Sequence, residues 1–159
     1  MAIQIRAARL PDDADGLARV YVASAEHHVA LDPARYRVPP LDAVVGWYSE
    51  PRDTDERILV ADDGEHGIVG VASAALLCRP GPASMVADVP TASLDVAVLP
   101  EHRDRGVGRR LMEAAAAAAA ETLGAQRLQL DAHQANEGAL RLYRDLGFQS
   151  MGVLLSRSL

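Results

Sequence analysis

The sequence predicts an α/β chain, α+β in how its elements group, folded as a single domain over residues 1–159. Three stretches carry that reading. Ser93 to Leu99 is a short apolar, partly β-branched run, suited to a buried strand. Pro100 ends it, because proline cannot donate to a ladder, and a helix follows from about Gly106 through seven alanines, Ala114 to Ala120. Arg127 to Ala132 alternates as a strand and is again followed by a helical stretch. Arg57–Ala61 and Ile68–Ala72, around a loop at Asp62–Gly67, read as a hairpin. Strands interleaved with helices are the mark of a mixed fold.

The remaining elements follow in order. Ile3 to Ala7 alternates as a first strand. Leu10-Pro11-Asp12-Asp13 opens a first helix, with proline early and acids in the first turn. Leu17, Val20, Tyr21 and Ser24 share one face, and the helix runs to about Ala30. Asp32-Pro33 starts a loop that mixes His, Asp, Arg and Tyr with prolines. Leu41 to Tyr48 reads as a second, short helix, in which Trp47 either packs or stands at a site's edge. Glu50 to Asp53 is a charged turn, and Arg79 to Pro90 is loop. Gly124 ends the alanine helix. Asn136 is suited to cap the last helix and Gly147 to stop it.

Composition narrows the function. A hydrophobic content of 49% over 159 residues supports a real core in one domain. A net charge of −6 argues against general nucleic-acid binding and leaves room for a cationic substrate. No apolar stretch reaches membrane-spanning length, and no signal peptide is read at the N-terminus, so the expected location is the cytoplasm. Cys78 is the only cysteine, which rules out an internal disulfide. Beside Leu76-Leu77 it reads as core rather than nucleophile. No metal site is expected. His27 and His28 are adjacent and splay about 100° apart on a helix, so they do not share one ion.

The junction after Pro100 points to anion binding. A helix start offers unpaired N–H groups and the positive end of the dipole. Gly106 and Gly108 allow close approach of a bulky anion. Arg103, Arg105, Arg109 and Arg110 add positive charge, which together makes a pyrophosphate cradle. The blander alternative is a glycine turn with arginines that solvate a helix end. Two rival phosphate motifs fit less well. A dinucleotide fingerprint needs a third glycine where Leu111 stands, and a P-loop needs a lysine, which the chain lacks altogether.

Val96-Ala97-Val98-x-Pro100 followed by Arg103-x-x-Gly106-x-Gly108 resembles motif A of the GNAT (Gcn5-related N-acetyltransferase) superfamily. Asn136-x-x-Ala139-x-x-x-Tyr143-x-x-x-Gly147-Phe148 resembles its motif B at every position. The motifs cover roughly Leu94 to Phe148, and the N-terminal half agrees in element order. The resemblance implies a mixed, mostly antiparallel sheet of six or seven strands, flanked on both faces by about four helices. It implies acetyl-CoA as co-substrate and a primary amine as acceptor, either a small molecule or a peptide. Arg103, Arg105, Gly106, Val107, Gly108 and Arg109 would bind the pyrophosphate. Backbone groups of Val96 and Val98 would bind pantetheine and polarise the thioester carbonyl. Asn136 would face the CoA, and Tyr143 would protonate the leaving sulfur.

The base is less defined. Asp95 is the first candidate, since it is an acid in an otherwise apolar strand; Glu101, Asp88, His133 and the His27–His28 pair are rivals, and ordered water is a further alternative. His28 and Asp32 lie where the family usually borders its acceptor, though at either residue alone a polar helix end is the plainer reading. After Phe148 only Gln149 to Leu159 remain for the last one or two strands. A missing last strand would leave an edge open for a homodimer partner. Two other functions remain open: an acyl-CoA-binding regulatory module without turnover, and an enzyme using a longer acyl group.

Overall fold

The computed structural model describes residues 2–51 and 54–157. Arg52 and Asp53 of the expected charged turn lie outside the described residues, as does Leu159 at the chain end. The elements are β1 (Gln4–Ala7), α1 (Ala14–Leu31), α2 (Leu41–Ser49), β2 (Glu56–Asp62), β3 (Ile68–Leu76), β4 (Thr91–Val98), α3 (Val107–Leu123), β5 (Arg127–Gln129) and α4 (Glu137–Asp145). A single 3-10 turn, Pro100–His102, joins β4 to the loop before α3. The sheet runs in the order β1-β2-β3-β4-β5. The first four strands are antiparallel to their neighbours, and β5 lies parallel to β4.

The sheet therefore has five strands among the described residues, where six or seven were expected. Residues 149–157 form no strand. β5 is only three residues long and offers a further strand little ladder to extend. Met151, Val153, Leu154 and Leu155 accordingly lie exposed.

Two apolar clusters cover the two faces of the sheet. On one face α3 contributes Leu111, Met112, Ala115 and Ala119, packed on Val69, Ala72 and Leu94. Ala115 and Ala119 lie one turn apart on the buried face, and their small side chains let α3 settle close to the strands. Gly70 marks the tightest approach: a Cβ there would stand 2.9 Å from Leu111 Cδ1 and 3.2 Å from the Ala97 carbonyl oxygen. On the other face Leu17, Ala18 and Val20 of α1 pack with Val44 and Tyr48 of α2 against Val60 and Val71.

One ion cluster ties the N-terminal elements together. Arg6 on β1 grips Asp13 with two hydrogen bonds, of 2.6 and 3.0 Å, and reaches Asp62 on β2 at 2.8 Å. Asp13 also accepts the Arg9 N–H at 2.6 Å. The Arg6 hydrogen bond holds the Asp13 and Asp62 carboxyls below the usual carboxylate range, and they in turn raise the Arg6 guanidinium. Depressed carboxyls contribute stability that is full above the unfolded-state value of about 3.9 and is lost as pH falls through the folded-state values. Arg6→Gln leaves the buried Asp13 with only the exposed Arg9 guanidinium, 3.8 Å away, as counter-charge and should cost about 3 kcal/mol at neutral pH. Denaturant melts from pH 7 to 2.5 check this, because the gap between variant and wild type should narrow below pH 4.

Candidate active site

The site begins where two strands part. β4 and β5 are paired at Thr91–Arg127, Ala92–Leu128 and Ser93–Gln129 and no further. β4 continues to Val98 while its neighbour ends. The Leu99 N–H donates to Val69 on β3, and Thr91 accepts from Leu77, so the odd-numbered residues of β4 turn their backbone toward β3. Val96 and Val98 therefore turn theirs into the gap. Both are partly served by side chains instead of a strand. The Val96 N–H donates to Asp95 Oδ1 at 2.9 Å, and Arg103 Nε donates to the Val98 carbonyl at 2.9 Å.

The gap opens into a cleft of about 780 Å³, well within the range of ligand pockets. The start of α3 forms one wall. Gly106 sits just before it with φ +77°, a left-handed conformation that favours glycine. No side chain caps α3, and its first turn carries no acid, whereas Asp15, Asp42 and Glu137 stand in the first turns of α1, α2 and α4. Its leading N–H groups are thus left without a competing anion. Arg103, Gly106, Gly108 and Arg109 line this wall. Gly108 also packs toward α4, since a Cβ there would stand 3.4 Å from Leu142 Cδ2.

Three neighbours are placed elsewhere. Arg105 is exposed and does not line the cleft. Val107 is buried in the core and has only its backbone to offer. Arg110 Nη2 donates to the Ile3 carbonyl at 2.9 Å and ties α3 to the first strand. Asp104, with φ 56°, and Asp145, 3.5 Å from Arg109, temper the positive charge.

α4 supplies the opposite wall. Asn136 caps it by accepting the Ala139 N–H at 3.3 Å, and it lines the cleft as well. Tyr143 is 9% exposed, packs edge-on to Phe148 with centroids 6.1 Å apart, and still borders the cleft. Burial, with the nearby Asp95 charge, pushes its phenol up to about 12. At neutral pH it therefore keeps its proton and stands in the cleft as a hydrogen-bond donor.

Asp95 and His28 face the cleft from the other side. Asp95 keeps solvent contact through the open cleft, yet the surrounding protein desolvates its carboxyl and raises it above the ordinary value. The Val96 N–H and the His28 charge pull it down, and Asp131 pushes it up. His28 Nδ1 lies 2.8 Å from the Ser24 carbonyl, which can only accept. The Nδ1 nitrogen therefore carries a proton, and Nε2 is not engaged in that bond.

The other candidates divide. His27 lines the cleft. Asp32 does not: it ends α1, accepts the Ala34 N–H and stands 3.5 Å from His133 Nε2. His133 Nδ1 accepts the Ala135 N–H at 3.2 Å, so this pair joins two loops. Asp88 is held by Arg79, and Glu101 is exposed outside the cleft. Asp131 and Ser24 belong to the site without having been singled out from the sequence. Asp131 ended an alternating strand, and Ser24 acts through its backbone, which no side-chain pattern reports. Among the described residues, no group of three His, Cys, Asp or Glu side chains is placed to hold a metal ion.

Comparison with known proteins agrees with this geometry. The family model described as "Acetyltransferase (GNAT) family" matches residues 17–148. An N-alpha-acetyltransferase of Sulfurisphaera tokodaii is 34% identical over 61 residues, which is 38% of this chain and 36% of that protein. A Bacillus halodurans protein solved as a tetramutant matches with a TM-score of 0.82 at 22% identity, covering 98% of this chain and 99% of the other. AAC(6')-Iy, solved with the bisubstrate analog CoA-S-monomethyl-acetylneamine, matches with a TM-score of 0.70 at 19% identity, covering 100% and 99%. At these identities the structural matches speak for the fold.

Gly108→Trp tests the phosphate wall. With Leu142 Cδ2 only 3.4 Å from the Cβ position, the indole must turn into the cleft, and CoA affinity by calorimetry should fall at least tenfold while circular dichroism shows the fold retained. Unchanged affinity would remove this wall from the binding site.

Proposed function

The chain belongs to the GNAT acetyltransferase family, and from that premise we propose that it transfers the acetyl group of acetyl-CoA to a primary amine by direct attack on the thioester. The acceptor is a small molecule or a peptide amine. The observation that carries this reading is a convergence on the open edge of β4. An uncapped helix start with two arginines, two inward-turned valine amide positions and a buried phenol all border one cleft.

Acetyl-CoA supplies an acyl carbon already activated on sulfur. Arg103, Arg109 and the first N–H groups of α3 hold its pyrophosphate. The acceptor arrives as an ammonium and must lose a proton before it can attack. Asp95 is the base, and its raised carboxyl suits it for that work nearer neutral pH than an ordinary aspartate. His28, whose Nε2 takes no part in the Ser24 bond, is the next acceptor along the wall. Once Asp95 takes a proton it accepts hydrogen bonds less strongly. The Val96 N–H that it held is then released to the developing oxyanion. Tyr143 gives its proton to sulfur as the carbon–sulfur bond breaks, and the second proton shed by the newly acylated nitrogen restores the phenol. The cytoplasm is the location this reading takes. A homodimer is its assembly, which would cover the apolar Met151, Val153, Leu154 and Leu155 that lie exposed after α4. No helix among the described residues is long and apolar enough to cross a membrane.

Thermal unfolding with acetyl-CoA, followed by thiol release over an amine panel, tests the whole reading. Binding at a hundred times the dissociation constant adds about 2.7 kcal/mol of stability. A shift with thiol release supports the enzyme; a shift with no release on any amine supports a binding module instead. Tyr143→Phe should lower kcat about a hundredfold or more and change CoA affinity less than twofold. Asp95→Asn should abolish the acidic limb of kcat/KM. In the wild type that limb should lie above the usual aspartate range, with activity rising as pH rises and the carboxyl ionises.

A further inference from the structure

A second, smaller cavity of about 90 Å³ lies beside the cleft, on the α1–α2 face of β4. The two spaces share Ser24, Asp95, Val96 and Ala97, so they adjoin at the level of the Val96 N–H. Pairing along the sheet explains why room is left there. Ile58, Ser73 and Asp95 stand side by side across β2, β3 and β4, and Val60, Val71 and Ala97 form the next row. Residues two apart on a strand share a face. The small side chains of Ser73 and Ala97 therefore leave a hollow among larger ones. Ile58, Val71, Ala97 and Tyr48 line the hollow and belong to the apolar cluster that α1 and α2 build on this face. Tyr21, Trp47 and Glu56 also contribute to the lining.

Such a space suits a short aliphatic chain. Protein interiors hold few voids, because atoms that line a void lose contacts on one side. A dry cavity of about 150 Å³ holds the six carbons of benzene, so 90 Å³ accommodates about three to four carbons. Position decides which chain that is. The thioester carbonyl is the part of acyl-CoA that reaches the Val96 N–H. A carbon attached beyond the acetyl methyl has the hollow at Ala97 next in reach. The acceptor amine comes instead past His27, His28 and Asp131, which line the large cleft and not this cavity.

We propose that this cavity receives the acyl chain of the donor, so that the enzyme uses propionyl- and butyryl-CoA at least as well as acetyl-CoA. The proposal rests on the acetyltransferase reading and extends its donor. The transfer itself is unchanged. The amine nitrogen bonds to the acyl carbon and the carbon–sulfur bond breaks. The thiol leaves with the Tyr143 proton, which the acylated nitrogen restores. The chain beyond the carbonyl stays against Ile58, Val71 and Ala97. Each methylene that enters an apolar space gains about fourfold in affinity, and a chain longer than the cavity overfills it.

Calorimetry with acetyl-, propionyl-, butyryl- and hexanoyl-CoA tests the cavity without needing turnover. Affinity should rise about three- to fourfold per methylene from acetyl to butyryl and fall again for hexanoyl. Ala97→Val fills the hollow with a residue suited to a strand; it should remove the butyryl gain and leave acetyl-CoA affinity within about twofold. Ile58→Val enlarges the space and should bring hexanoyl-CoA closer to butyryl-CoA. Equal affinity for acetyl- and butyryl-CoA, or a butyryl gain that both substitutions leave intact, would overturn the proposal. Thiol release on one fixed amine should rank the donors in the same order by kcat/KM. A preference for acetyl- over butyryl-CoA of about tenfold or more would overturn it too. So would an altered order of amines in Ala97→Val with the order of donors intact, since that gives the cavity to the acceptor. Any of these failures with acetyl-CoA turnover preserved would leave the acetyltransferase reading standing. No thiol release from any donor, with the butyryl affinity gain present and lost in Ala97→Val, would bring down that reading and support the cavity as an acyl site.

Discussion

Everything in the site depends on β4 and β5 parting after Ser93 and Gln129. A sheet interior normally consumes both edges of a strand, because a buried backbone group without a partner is costly. Here the inner half of β4 has a neighbour on one side only. The groups of Val96 and Val98 on the other side are met by Asp95 and Arg103, two polar side chains that also line the cleft. Side chains are easier to exchange for a ligand than a strand is. The Val96 N–H and the Val98 carbonyl are thus met by exchangeable partners, and the strand still presents an edge to which an extended molecule can pair.

The elements around the gap divide its charge. The α3 end offers helix N–H groups and two arginines, tempered by Asp104 and Asp145. The other end offers Asp95, His28 and Asp131. The cleft is thus cationic toward the start of α3 and acidic toward Asp95. Asp95 and Tyr143 also influence each other. Burial raises both, and the charge on Asp95 raises the phenol further. On the acetyltransferase reading this coupling is useful, since a carboxyl prepared to take a proton stands near a phenol that holds one.

Much of this was legible in the sequence where the signal is local. The strand, the proline stop, the glycine turn and the alanine helix follow one another within thirty residues, and the structure has each of them close to its expected bounds. Asn136 as a cap and Gly147 at the α4 end, with φ +89°, were legible for the same reason. The misses are non-local. Arg105 and Arg110 have the same charge as Arg103 and Arg109, and only the direction each takes from the loop or helix separates them. Asp32 and His133 look reactive in isolation but are brought together as a tie between loops. The expected outer strands need a ladder to pair with, and a three-residue β5 hardly provides one.

The sequence by itself therefore determined the local frame: a helix start that attracts anions, a tyrosine two turns after an asparagine cap, and an acid set in an apolar strand. Such features are decided by residues a few positions apart, through propensity, capping and side-chain period. Only the tertiary structure decided that the strand beside that acid has lost its neighbour. It also decided that His28 arrives from α1 with Nδ1 held by a backbone carbonyl. Those are contacts between segments tens of residues apart. They arise from how two helices and a diverging sheet share one core, and that is settled only when the whole chain packs.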